Sequence, residues 1–158
     1  MAVGTPVSVD LATWETIDAH ALEAYPDECC GLVIEDAAGA RRAHPCENIQ
    51  NKLHGADPES HPRDARRAYR MDDLQVMRIL DETEKAGGRM TAIYHSHIDC
   101  DAYFSEEDQA AATFFGEPAY PGVVYLVVSV VEGEIRNKKA FDWDSSENLF
   151  VEVPLAKS

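Results

Sequence analysis

Residues 122–131 read GVVYLVVSVV, an almost unbroken apolar run rich in β-branched side chains. A run of this length and character is a strand buried on both faces, at the centre of a sheet covered by helices. Upstream of it, MTAIYHSH (90–97) is a second strand signal, and GLVIED (31–36) turns through AAGA into a partner around RRAHPCENI. Downstream, EGE turns into IRNKKAFDW, and LFVEVPL gives a further strand. PVSV (6–9) reads as a short strand ahead of all of these.

Helical spacing fills the gaps. Leu11, Trp14, Ile17, Ala21 and Leu22 predict an amphipathic helix over residues 11–24, ended by Pro26. Asp72 or Asp73 can cap a second helix with Leu74, Met77, Ile79 and Leu80 on its apolar face, stopping at Gly87-Gly88. Ser105 starts a third, expected to run to about Phe115. The polar segment 50–64, QNKLHGADPESHPRD, reads as a long loop, and long loops in compact domains are often functional. The order α-β-β-α-β-α-β-β-β predicts an α/β or α+β fold, a mixed sheet flanked by about three helices. With 158 residues and no repeat, biased tract or linker, the expectation is a single domain over 1–158.

Charge narrows the partners. Fourteen Lys+Arg against 29 Asp+Glu give a net charge of −15, which repels nucleic acid and anionic membranes. Such a surface is solubilising, is favoured by a high-salt medium, and tolerates a basic patch on a protein partner. No apolar run reaches the ~18 residues of a membrane span, and the opening residues lack a signal-peptide pattern. The expected location is therefore the cytoplasm. Cys29, Cys30, Cys46 and Cys100 form no C-x-x-C pair and are read as reduced thiols.

The chemistry concentrates in YHSHIDCDAYFSEED (94–108). Alternate residues of a strand share a face, so His95 and His97 can converge on one ion while Ser96 points away. Neutral imidazole is a favoured zinc ligand, and a catalytic zinc needs a third protein ligand and an open position. Asp108 lies eleven residues beyond His97, and Ser105 and Asp108 share one face of a helical turn. Taken alone, Ser-x-x-Asp with Glu106 and Glu107 is also an ordinary capping box. A proton acceptor must come from elsewhere, and Glu28 in YPDECCGLV is the candidate, with a plain turn as the alternative reading. H-x-E with P-C-x-x-C, the deaminase signature, is absent.

These residues together resemble the JAMM (MPN+) metalloprotease family: an upstream Glu and Gly, then His-x-His, seven residues, Ser, two residues, Asp. Here they are Glu28 and Gly31, His95-Ser96-His97, Ser105 and Asp108. YPDECCGLV, and CENI followed by RRAYRMDDLQVM, are similar to flanking segments of its bacterial single-domain subgroup. The resemblance implies a curved mixed sheet with flanking helices, related to the cytidine deaminases. It implies zinc on His95, His97 and Asp108, Glu28 as proton carrier and Ser105 as hydrogen-bond donor to the oxyanion. It also implies, as substrate, the Gly-Gly tail of a ubiquitin-like or sulfur-carrier protein; the polar 50–64 loop is the candidate for one wall of the groove that takes it. The alternative is a non-catalytic binding module on the same fold. The sequence departs from the family at Ile98 and Phe104, where prolines are common, and at Cys100, whose thiolate could compete for the metal.

Overall fold

The computed structural model describes residues 5–156. Its main sheet has six strands in the order β2-β1-β3-β6-β7-β8. In chain order these are β1 (Cys30–Glu35), β2 (Arg41–Cys46), β3 (Arg89–Ile98), β6 (Val124–Val131), β7 (Glu134–Asp144) and β8 (Leu149–Val153), with a two-residue pair β4 (Thr113–Phe114) and β5 (Glu117–Pro118) between β3 and β6. The two most apolar strands, β3 and β6, lie side by side at the centre and run parallel; the other pairs of the main sheet are antiparallel. A parallel pair needs a long crossover, and the chain between His97 and Val124 supplies it. The fold is mixed α+β, as expected.

Four helices occur among the described residues: α1 (Leu11–Ala24), α2 (Gln50–Ala56), α3 (Asp73–Lys85) and α4 (Glu106–Ala112). Asp10 caps α1 through Thr13 N–H, and Asp72 caps α3 through Leu74 N–H. Four expectations need correction. The 50–64 segment contains a helix, because Asn48 Oδ1 accepts from Gln50 N–H and starts the turn. The helix begun at Ser105 ends at Ala112, where Thr113 turns into the small hairpin. The apolar faces hold only in part: Ile17, Ala21 and Ile79 are buried as read, Thr13 and Val76 join them, and Leu11, Leu22, Leu74 and Met77 are exposed. The expected strand at 6–9 is reduced to a single bridge from Val7 to Leu155.

The sheet has a core on each side. Under α1, Ile17 and Ala21 meet Cys29, Val33, Ala92, Tyr94, Leu126 and Val128. Under α3, Val76 and Ile79 meet Leu32, Ile93, Tyr125 and Val127. Gly31 is required where it stands, because a Cβ there would lie 2.4 Å from the Tyr94 ring. No helix among the described residues is long and apolar enough to cross a membrane.

Candidate active site

The C-terminal end of β3 delivers His95 and His97 to the face that carries Ile93, and both are buried. Residue 96 must then face the α1 side, and Ser96 Oγ accepts a hydrogen bond from Cys29 N–H at 2.8 Å. That bond pins the residue after Glu28 to the strand between the two histidines. Glu28 N–H donates to Ala65 O at 2.7 Å, and Asn48 Nδ2 donates to Glu28 O at 2.9 Å. The carboxylate is thus held on a backbone tied on both sides.

From the other direction, α4 brings in Asp108. Ser105 Oγ accepts from Asp108 N–H at 3.0 Å, and Asp108 Oδ2 accepts from Ser105 N–H at 3.0 Å, a complete capping box. The same Oδ2 lies 3.1 Å from His97 Nε2 and 3.2 Å from His95 Nε2. Capping and convergence on the histidines are therefore one arrangement. Ligand atoms of His95, His97 and Asp108 all fall within 4.8 Å of one another, and together they could hold a metal ion.

The donor set fits a cation. His97 Nδ1 is 3.0 Å from Asp101 O. A carbonyl only accepts, so in the neutral ring the proton sits on Nδ1 and Nε2 carries a lone pair. That lone pair faces the Asp108 carboxylate, two acceptors 3.1 Å apart. Neither nitrogen of the fully buried His95 has a hydrogen-bond partner; its Nε2 approaches Asp108 without hydrogen-bond alignment. Buried polar atoms without partners are costly, and a cation among these three groups satisfies them. Two imidazoles and a carboxylate are the ligand types and number of a catalytic zinc site.

Electrostatics agree with that role. Burial lowers the pKa of His95 against the pull of Asp108, favouring the neutral ring that binds metal. Burial opposes the charge on Asp108, yet the two histidines and Ser105 N–H outweigh it and hold the carboxyl well below the usual range. Burial, and next the charge of Asp108, push Glu28 up to about 9, with Arg63 pulling the other way.

Glu28, His97, Ser105 and Asp108 line one cleft of about 300 Å³. Its far wall is not the 50–64 loop as a whole. Arg63 is the one contribution from that stretch, and Arg66, Arg67, Ala68 and Tyr69 make the rest. Tyr69 stacks on His95, ring centroids 4.5 Å apart, and Tyr103 meets His97 edge-on at 4.8 Å. Neither contact was read from the sequence, although RRAYR marked the segment. Cys100 lines the cleft, is exposed, and stands outside the ligand cluster. Partial burial, then Glu28, raise its pKa and favour the thiol over the thiolate. Phe104, in place of a common proline, packs against Tyr125, Phe141 and Phe150.

Comparison with known proteins places this chain in a family. The sequence profile described as "Prokaryotic homologs of the JAB domain" matches residues 11–144. A protein of Haloferax volcanii named desampylase is 32% identical over 139 residues, 84% of each chain. The tail tip assembly protein K of Escherichia phage N15 is 30% identical over 124 residues, 78% of this chain; the match covers 41% of the phage protein. A solution structure from Desulfitobacterium hafniense covers 94% of this chain and 90% of its own, with TM-score 0.68 at 22% identity. One from Salinibacter ruber covers 96% and 90%, with TM-score 0.58 at 24% identity. The structural likenesses concern the fold; the profile and the 32% identity concern descent, and by both the chain belongs to the prokaryotic JAB (JAMM/MPN) family.

Proposed function

We propose that this protein is a zinc metallopeptidase that hydrolyses the bond after the C-terminal Gly-Gly of a ubiquitin-like or sulfur-carrier protein. The observation that carries the reading is the convergence of His95, His97 and Asp108 beside a buried carboxylate, Glu28, in one open cleft. Similarity to the desampylase supports a deconjugating hydrolase over a non-catalytic binding module, and so does the completeness of the set.

His95, His97 and Asp108 would hold the ion through two neutral imidazoles and one carboxylate. Zinc bound there supplies a Lewis acid for the scissile carbonyl and brings the pKa of a water toward ~7. Glu28 is the proton carrier: its carboxylate takes a proton from the attacking water, then delivers it to the departing amine. Burial favours its protonated form, which suits the second task. Ser105 Oγ already accepts from Asp108 N–H, so its own O–H is free to donate to the carbonyl oxygen as charge develops there. Asp101 O orients the His97 ring, and Tyr69 covers that of His95. A glycine pair would suit a cleft lined by Tyr69 and Tyr103 because, without side chains, it can lie extended past bulky rings.

The test is metal content and turnover together. Purified protein should carry about one zinc per chain and cut a carrier extended beyond Gly-Gly, read by mass spectrometry. Chelator should abolish cleavage. Glu28→Gln should keep the zinc and lose turnover. A zinc-loaded protein that leaves every such carrier intact defeats the proposal.

A further inference from the structure

Resting on the peptidase reading above, we infer that Arg66 and Arg67 form a carboxylate-binding subsite of the cleft, selecting substrates that carry a carboxylate in the short segment bound beside the metal ligands. Whole-chain charge argues for a basic partner, since the net charge is −15. The cleft departs from that locally: its arginines match in number the acids that line it, Glu28, Glu107 and Asp108. Arg63, Arg66, Arg67 and Arg70 fall within eight residues of a chain with 14 Lys+Arg, and the first three line the cavity that holds Glu28, His97 and Asp108.

Two of the four arginines are already engaged. Arg63 pairs with Glu107 at 2.7 Å, and Arg70 with Asp73 at 3.4 Å. Arg66 and Arg67 are exposed and take part in no ion pair among the described residues, although the chain has 29 acids. Asp64, the acid beside them, spends Oδ1 on Arg66 N–H at 3.1 Å. A guanidinium carries its charge at every accessible pH and offers a fork of donors that matches a carboxylate.

The segment that displays them is braced. Ala65 O accepts from Glu28 N–H at 2.7 Å, Ala65 N–H donates to Asn51 Oδ1 at 2.8 Å, and Asn48 Nδ2 donates to Ala68 O at 3.2 Å. The arginines are therefore registered to Glu28 itself, through one hydrogen bond. A purely solvated charge needs no such anchoring, and a specificity element does. An acidic group meets repulsion over most of this surface and attraction at the Arg66 and Arg67 wall, opposite the acids of the cleft, which also orients its approach.

The experiment uses four peptides, identical through Gly-Gly and ending in alanine with a free carboxylate, alanine amide, glutamate amide or lysine amide. kcat/KM is measured at one ionic strength for the native chain and for Arg66→Gln/Arg67→Gln. The expected result is about a tenfold preference of the native chain for at least one carboxylate-bearing peptide over alanine amide, with lysine amide poorest. The double variant should bring that ratio close to one. Preference for the alanine acid assigns the subsite to a terminal carboxylate; preference for the glutamate amide assigns it to an acidic side chain. Equal rates for the acids and the neutral amide, or a preference that survives in the double variant, overturns the inference. If no peptide is cut, the peptidase reading fails, and anisotropy of the labelled peptides with chelator present decides the subsite by the same ratio.

Discussion

The two faces of β3 share a backbone and diverge completely in use. On one face, Ala92 and Tyr94 join the core under α1, and Tyr94 OH hydrogen-bonds His20 Nδ1 at 2.7 Å. On the other, Ile93 joins the core under α3, and the next two residues of that face, His95 and His97, converge with Asp108 in a buried cluster that could hold a metal ion. The first face is satisfied internally; the second leaves nitrogens without partners. A strand's two-residue period thus lets stability and chemistry be built on alternate residues, and substitutions should separate them.

The largest separation is expected on the ligand face. His97→Gln should fold normally yet lose bound zinc and about 10³-fold in kcat/KM, roughly 4 kcal/mol of transition-state stabilisation. Metal analysis beside circular dichroism checks it; retained zinc would break the contrast. Ser105→Ala should keep the metal and lose about 10²-fold in kcat, as for one oxyanion donor. On the core face, Gly31→Ala should leave the ligands in place but cost about 3 kcal/mol, because the Tyr94 ring occupies the space a methyl would need. Urea unfolding reads that directly. Ser96→Ala blurs the division: it orphans the buried Cys29 N–H at a cost of about 2 kcal/mol. It should also slow turnover with zinc retained, since the residue after Glu28 loses one of its two hydrogen bonds to Ser96.

The smallest effect is a pH dependence on the core face. Burial lowers the pKa of His20, against the opposing charge of Glu23. The unfolded chain then binds more protons than the folded one below about 6.5. The stability His20 contributes is complete above that pH and falls as pH drops toward the folded value. Urea titrations at pH 7.5 and 5.5 should show the loss, and His20→Gln should reduce it.

The sequence carried the strands well because each is a short apolar or alternating run with a clear turn beside it. It carried the convergence of His95, His97 and Asp108 because spacing along one strand and one helical turn is rigid geometry. Helix faces were harder. Leu74 and Met77 have the same spacing as Val76 and Ile79, and only packing against Leu32 and Ile93 shows which pair is inside. Ser105 and Asp108 looked like rival readings, cap or ligand, and the geometry lets them coexist: the Oδ2 that accepts from Ser105 N–H also lies 3.1 Å from His97 Nε2. The arginine wall was not found, although four arginines in eight residues of so acidic a chain were there to be weighed. Its position depends on long-range hydrogen bonds from Asn48 and Asn51, which no local pattern encodes.

The Ser96–Cys29 hydrogen bond has a consequence for anyone moving this chemistry to another scaffold. It works as a ruler laid between two distant pieces of chain, setting how far Glu28 sits from the cluster of His95, His97 and Asp108. Grafting His-x-His, Ser and Asp alone would transplant a metal binder. To transplant a catalyst, the neighbouring strand end must travel with them, attached through the serine that faces the opposite way.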